Sequence, residues 1–512
     1  MKKLFLAILS GLILGFSWPS IGNSILLFFG FIPLFVLEDI IFFSNESKKG
    51  RSIFLYSFIS FFIFNVITTY WLCNATIFGG VFAFLVNATL MSSVIYCFHK
   101  IRLTTGERRI SFISFVFLWI SMEYLHLNWD FSWPWLTLGN GLVNFSSLIQ
   151  WYDITGVLGG TLIILLINLL FYQIYLTKKL NNLVYIFFIF LLMFSFSFFS
   201  SGEINDNKLN VLVVQPNVDP YEEKFDIDFQ DQINDFICLA ESKMSHNIEL
   251  LIGPETAIQE GLWEHQIEQS YSVNKFREMQ NKFPDLNILI GATTYKIIQD
   301  YDVSSSTREM NNGLFYEIYN SAIFIPDSGD VKIYHKTKLV PGVEKIPFPL
   351  LFSWLSSLMV DLGGVSGSLG NSNILDKFDL DDFKALPLIC YESVYGDLIS
   401  EKHSDILCVI TNDGWWGNTA GYKQHFLYSK LRAIEQRKSV IRSANTGISG
   451  VINPDGTVLR KTEWDQQVCF VSSVDINNKR TFYNHYGDYI GRIGSFVSLI
   501  LILTVFVKSK IN

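Results

Sequence analysis

Three short polar segments of this chain carry side chains able to do covalent chemistry. The first is Gly253-Pro254-Glu255-Thr256-Ala257. The second runs Tyr334-His335-Lys336-Thr337-Lys338-Leu339-Val340-Pro341, with Glu344 just beyond, and the third is Leu388-Ile389-Cys390-Tyr391-Glu392. Each follows an apolar, strand-like run. Each therefore sets a reactive group where a buried strand meets a loop, the usual place for function in an open α/β sheet. The residue types suit acyl chemistry: a thiolate attacks esters, a carboxylate can take up a proton, and a cation can stabilise an oxyanion.

Taken singly, each residue also has a plainer reading. Cys390 ends an apolar strand, as buried structural cysteines do. Pro254-Glu255 makes a good helix N-terminus. Lys338 rivals Lys336, because strand alternation would put both on one face. His335 and His425 offer a Cys–His dyad, which a carboxylate base would make unnecessary. Trp415 and Trp416 read as pocket or core walls, and Cys238, Cys408 and Cys469 as structural.

The elements needed to hold these segments are legible as apolar runs. Strands are expected at Asn210–Val214, Leu250–Ile252, Ile288–Gly291, Ser321–Ile325, Leu386–Ile389, Ile406–Thr411, Ser439–Arg442, Gly450–Ile452 and Val468–Val474. Helices are expected at Phe229–Met244, Gln269–Lys282 and Ala420–Arg437. Several strands are continuously apolar, which fits a sheet covered on both faces, so this part reads as an α/β sandwich.

The rest of the chain is of another kind. Of its 512 residues half are apolar, 16% aromatic and only 17% charged, whereas charged residues make up about a quarter of a soluble protein. Apolar runs long enough to suggest spans fall at Leu4–Phe16, Ile21–Leu37, Ile53–Tyr70, Phe78–Tyr96, Ile110–Tyr124, Gly156–Tyr175, Leu183–Phe199 and Tyr489–Val507. The first could be a signal peptide after Lys2 and Lys3, but no small-residue cleavage site follows it, and a retained helix is preferred. The division expected is 1–204 membrane domain, 205–486 catalytic domain and 487–512 closing helix and tail.

Lys48, Lys49 and Arg51, then Lys100, Arg102, Arg108 and Arg109, then Lys178 and Lys179 fill alternate loops, and Lys508 and Lys510 follow the last span. Positive loops stay cytoplasmic, so both termini are expected inside and the 205–486 domain outside. Glu123, at a helix end, is read as solvated or hydrogen-bonded. The spans read as free of repeated buried charges and paired broken helices, which gives a transporter little support. A net charge of −8 without a basic tract excludes an evident nucleic-acid site. Six widely spaced cysteines with no CxxC pair argue for free thiols and against a metal site.

In order and spacing, the three reactive segments resemble the Glu–Lys–Cys triad of the nitrilase, or carbon-nitrogen hydrolase, superfamily. The resemblance extends to Gln215-Pro216-Asn217, Gly291-Ala292-Thr293, Tyr319-Asn320-Ser321-Ala322, Thr411-Asn412-Asp413-Gly414-Trp415-Trp416, Gln424-His425 and Arg442-Ser443-Ala444-Asn445-Thr446-Gly447. With seven spans ahead and one behind, the chain is similar to the apolipoprotein N-acyltransferase family. That resemblance implies an α-β-β-α sandwich joined to a polytopic helical membrane domain of about eight spans. It implies Cys390 as nucleophile, Glu255 as general base, Lys336 as the oxyanion-stabilising cation, Glu344 and Glu392 as supporting carboxylates, and Tyr391 and Trp415 near the substrate.

The implied reaction moves an acyl chain from a membrane phospholipid to Cys390, and then to the α-amine of a diacylglyceryl-cysteine apolipoprotein. No cofactor, metal or nucleic acid is implied. A monomer in the bacterial cytoplasmic membrane is expected, with its catalytic domain on the periplasmic side. The apolar stretch Ile346–Gly364 is read as an arm covering the acyl pocket at the outer leaflet, against the alternative of a short helix packed on the domain. A membrane-tethered amidase using water as acceptor would share the triad. Three departures from the family pattern stand out: Gly253 replaces a tryptophan, Pro341-Gly342-Val343-Glu344 replaces Pro-Phe-Gly-Glu, and Phe225 stands in for a second tryptophan.

Overall fold

The computed structural model describes residues 1–199, 207–219, 221, 227–299, 304–348, 368–380 and 383–511. Two compact units emerge, Met1–Ser201 with Tyr486–Asn512, and Gly202–His485.

The first unit is helical. Its long helices are α1 (Lys2–Gly15), α2 (Ile32–Phe42), α3 (Lys49–Thr69), α4 (Ile77–Thr105), α5 (Arg108–His126), α6 (Tyr152–Thr177), α7 (Asn182–Phe199) and, at the other end of the chain, α11 (Tyr489–Ile511). Each occupies one of the apolar runs. Six stretches among the described residues are long and apolar enough to cross a membrane: Ser24–Phe42, α3, α4, α6, α7 and Tyr489–Lys508. The 14 residues of α1 are too few for a full crossing.

Two expectations about these spans are corrected. The expected span Ile21–Leu37 is not one continuous helix: it holds a short tight turn, Ser24–Phe28, and then the start of α2. The break frees backbone groups, and α6 supplies partners: Asn168 accepts from the Phe31 N–H at 3.0 Å and donates to the Leu27 carbonyl at 2.8 Å. Helix α6 is itself kinked at Gly156, whose φ is +60°.

Nor are the spans free of clustered charge. Glu38 bonds His99 Nδ1 at 2.7 Å and Arg102, while Asp39 pairs with Arg102 at 2.6 Å and Arg108 at 2.9 Å and accepts the Tyr172 hydroxyl. These groups sit near helix ends, where a search for charges inside apolar runs does not reach. Buried Arg102, expected as a loop cation, is a bundle ion pair. Glu123 is buried and accepts from Trp119 Nε1, the Leu138 N–H and the Thr161 hydroxyl at 2.9, 2.9 and 2.7 Å. A buried acid thus serves as an anchor for the segment after α5.

The second unit is a four-layer sandwich. Its first sheet holds β1 (Lys208–Gln215), β2 (Leu250–Ile252), β3 (Ile258–Trp263), β4 (Asn287–Ile298), β5 (Arg308–Glu309), β6 (Phe315–Ile325), β7 (Lys332–His335) and β14 (Val468–Asp475), in the order β14-β1-β2-β4-β6-β5 with β3 on β4 and β7 on β6. The second holds β8 (Phe378–Asp379), β9 (Lys384–Ile389), β10 (Ile406–Thr411), β11 (Ser439–Ala444), β12 (Gly450–Ile452) and β13 (Val458–Lys461), in the order β13-β12-β11-β10-β9-β8. The inner strands β9, β10 and β11 are parallel, as are β1, β2 and β4.

The period-2 alternation of a strand explains the layers. Along β1, Leu209, Val211 and Val213 join Leu388, Val409 and Ile441 in the core between the sheets. Leu212 and Val214 face the other way, against Phe236 of α8 (Phe229–Glu241) and Phe276 of α9 (Tyr271–Lys282). Helix α10 (Ala420–Gln436) lays Tyr422, Phe426 and Ala433 on the second sheet. The segment after β2 does not start a helix: a turn at 254–257 leads into β3 instead. Gly291 of β4 permits that turn. Its N–H donates to the Pro254 carbonyl at 3.0 Å, and a Cβ there would meet Glu255 Cα at 2.6 Å.

Candidate active site

Each reactive segment leaves the end of a strand. Glu255 follows β2 and Lys336 follows β7, both in the first sheet, and Cys390 follows β9 in the second. Packing the two sheets face to face brings the three strand ends together in the interior: Glu255, Lys336 and Cys390 are 7%, 1% and 9% exposed. The Lys336 ammonium donates to Glu255 Oε1 at 3.2 Å and to Glu344 Oε1 at 2.8 Å. Asn320, on β6, spans the same two carboxylates at 2.7 and 3.0 Å. The Asn412 N–H fixes Glu255 Oε2 at 3.0 Å, and the Val340 N–H fixes Glu344 Oε2 at 2.7 Å.

The electrostatics follow from burial and these neighbours. Burial pushes the Cys390 thiol well above its ordinary pKa; Glu255 adds to the rise, while Lys336 and a hydrogen bond with Thr411 pull against it. Burial alone would lower the Lys336 pKa, but Glu344 and Glu255 outweigh it and hold the ammonium above the usual lysine value. The resting site therefore contains a neutral thiol beside a charged lysine. A thiol held neutral in this way gives up its proton only to a base already in place.

Cys390 has a left-handed backbone, φ +51°, a conformation that costs an L-residue roughly 1–2 kcal/mol and marks sites where geometry is imposed. Fully buried Glu392 helps to impose it. One of its oxygens accepts from the Ile389 N–H at 2.8 Å; the other takes the Tyr334 hydroxyl, the Thr337 N–H and the Thr337 hydroxyl, each at 2.6 Å. Burial raises the Glu392 pKa against the pull of those bonds. Glu392 thus ties the cysteine turn to the lysine segment.

The remaining expected residues lie around this cluster. Tyr391 is buried edge-on against Tyr395, ring centres 5.2 Å apart. Trp415 is half-buried and packs against Tyr221, ring centres 5.1 Å apart, with the Tyr221 hydroxyl donating to its carbonyl at 3.0 Å. Lys338 is half-buried with its ammonium 5.3 Å from the Tyr395 ring centre. Alternation does not relate it to Lys336, because both lie beyond the last residue of β7. His335 bonds Glu264 at 2.6 Å and stacks on Tyr319, and His425 meets Cys390 through its carbonyl.

The described cysteines are all free. Gly253 has no room for a larger residue: a Cβ would lie 2.7 Å from Ile290 and 2.9 Å from Phe236, which fill the position. Phe225 and residues 349–364 of the expected arm lie outside the described residues. Sequence reading missed Asn320 and Asn412 as site residues. A polar Asn320-Ser321 pair inside the otherwise apolar end of β6 was the available signal.

The profile of the carbon-nitrogen hydrolase family matches residues 211–481, more than half of the chain. The chain belongs to that family. Ahead of this carbon-nitrogen hydrolase region, residues 10–170 match the apolipoprotein N-acyltransferase N-terminal domain. The apolipoprotein N-acyltransferase of Chlorobaculum tepidum is 27% identical over 530 residues, covering 99% of this chain and 97% of the relative. That of Geobacter metallireducens is 26% identical over 517 residues, covering 95% and 92%. A solved CN-hydrolase superfamily protein from Xanthomonas campestris aligns with 52% of this chain and 91% of its own at 14% identity, with a TM-score of 0.36.

Alkylation of Cys390 tests the electrostatics. In the full-length protein, its iodoacetamide labelling should keep rising above the pH at which ordinary thiols are already ionised. Removing the cation in Lys336→Met should move that rise to still higher pH, by about 1–3 units for an adjacent opposite charge. A plateau already reached at neutral pH, or a shift downward in the variant, would contradict the assignment.

Proposed function

We propose that this protein is an apolipoprotein N-acyltransferase whose acyl carrier is Cys390. The observation that carries the reading is the buried cluster in which Lys336 contacts both Glu255 and Glu344 and bears electrostatically on the thiol. Its neighbour in the chain, the helical domain matched at residues 10–170, suits substrates held in a bilayer. Glu255 accepts the thiol proton as Sγ attacks the ester carbonyl of a phospholipid. The oxyanion that forms is stabilised by Lys336, an interaction of a few kcal/mol for a preorganised donor. Collapse expels the lysophospholipid alkoxide, which recovers the proton from Glu255, and leaves a thioester. The α-amine of a diacylglyceryl-cysteine then attacks the thioester. Glu255 removes the amine's proton, and the thiolate leaves and is reprotonated.

Glu344 holds the Lys336 ammonium and Glu392 holds the nucleophile's turn. Tyr391 and Trp415 are assigned to substrate binding. The protein acts as a monomer in the bacterial cytoplasmic membrane. The charge of its loops favours cytoplasmic termini and a periplasmic 205–486 domain, although Arg102 and Arg108 contribute less to that bias once paired with acids.

Two experiments test the reading. Purified full-length protein mixed with an alkyne-tagged phospholipid should acquire a label that neutral hydroxylamine removes, and Cys390→Ala should acquire none. Absence of label on the wild type with several lipids would sink the mechanism. In spheroplasts, exposed Cys238 should react with a membrane-impermeant maleimide before lysis; protection until lysis would reverse the orientation.

A further inference from the structure

A second polar group lies behind the Cys390 turn, and the chemistry above does not use it. Ser393, Asp413, His425 and Arg442 are each 1% exposed or less and come from four places: the cysteine turn itself, the short turn Asp413–Trp416 after β10, helix α10 and strand β11. His425 Nε2 is 3.2 Å from the Cys390 carbonyl and 2.9 Å from the Ser393 hydroxyl, which donates to that same carbonyl at 2.7 Å. On the other side of the ring, Nδ1 is 3.0 Å from Arg442 and 2.9 Å from Asp413.

Two of these neighbours have fixed hydrogen-bonding roles. A carbonyl only accepts, so the Cys390 contact requires a proton on Nε2. A guanidinium only donates, so the Arg442 contact requires a lone pair on Nδ1. Both conditions describe one neutral tautomer. Burial, then Arg442, lowers the ring's pKa and keeps it uncharged. Asp413 Oδ1 favours the opposite tautomer, but Arg442 neutralises that carboxylate at 2.6 Å and the Thr411 hydroxyl donates to the same oxygen at 2.9 Å. Thr411 also bonds the Cys390 side chain. The group therefore touches Cys390 at its carbonyl, and Thr411 links it to the thiol's electrostatic surroundings.

We propose that His425 is a positioning residue for the nucleophile: its Nε2–H, oriented by Arg442, holds the Cys390 carbonyl and so fixes the left-handed turn that aims the thiol at Glu255 and Lys336. The inference rests on Cys390 being the nucleophile. It assigns His425 no proton transfer in the reaction, unlike a Cys–His dyad.

Two conservative variants separate this role from mere core filling. Glutamine places an amide N–H where Nε2 stands; asparagine reaches only as far as Nδ1. Acylation of Cys390 by the alkyne-tagged phospholipid is followed in full-length protein, with melting temperature measured alongside. His425→Asn and His425→Leu should both acylate slower by about a hundredfold, the scale of a one-ångström misplacement, without a change in donor KM. His425→Gln should recover most of the rate while melting no higher than His425→Asn. Equal rates in the Gln and Asn variants, or a wild-type rate in the Leu variant, would overturn the positioning role. An unlabelled wild type would instead overturn Cys390 as nucleophile.

Discussion

The second unit is organised around one ammonium group taken out of water. Lys336 is 1% exposed and stands between Glu255 and Glu344. Removing one partner of such a buried pair costs about 3–5 kcal/mol, so neither acid is replaceable by an apolar residue without penalty. Asn320 and two backbone N–H groups complete the satisfaction of the carboxylates. Because Glu255 and Lys336 end strands of one sheet and Cys390 ends a strand of the other, the cluster exists only when the inter-sheet core has formed. Fold and chemistry are thus coupled through sheet packing.

The same constraint shapes the surroundings of Cys390. In this dry setting the thiol is held protonated, and a lone cysteine there would be inert. Reactivity must come from neighbours already in position, since buried polar groups cannot reorient cheaply. Glu392, Thr337 and Tyr334 tie the cysteine turn to the lysine segment. His425 and its partners hold the turn from the other side.

Much of this was legible in the sequence, for identifiable reasons. β1, β2, β4, β6, β9, β10, β11, β12 and β14 contain the apolar runs because their side chains are buried on both faces or against helices. β3 was missed because Gln259, Glu260 and Gly261 interrupt its apolar character, and β7 and β13 because they are short and partly exposed. The reactive segments stood out as polar insertions at strand ends. Asn320 did not, being inside a strand, and its role depends on which carboxylates the fold brings to it. Asp413, His425 and Arg442 were visible as separate segments, and His425 as a dyad candidate, but their meeting behind the cysteine turn is a tertiary event. In the helical unit, Glu38 and Asp39 escaped notice and Arg102 was read as a loop cation, because each lies at the end of an apolar run, where a charge normally means solvent.

The central claim is that the thioester gives its acyl group to an amine rather than to water. Enzyme first loaded from an alkyne-tagged phospholipid and freed of excess lipid should be mixed with a synthetic diacylglyceryl-cysteine peptide and followed by mass spectrometry. The account predicts that the label leaves Cys390 as the peptide gains one tagged acyl chain on its amine, and that without peptide the thioester persists. Release of tagged fatty acid at the same rate with or without peptide would contradict it and identify a hydrolase.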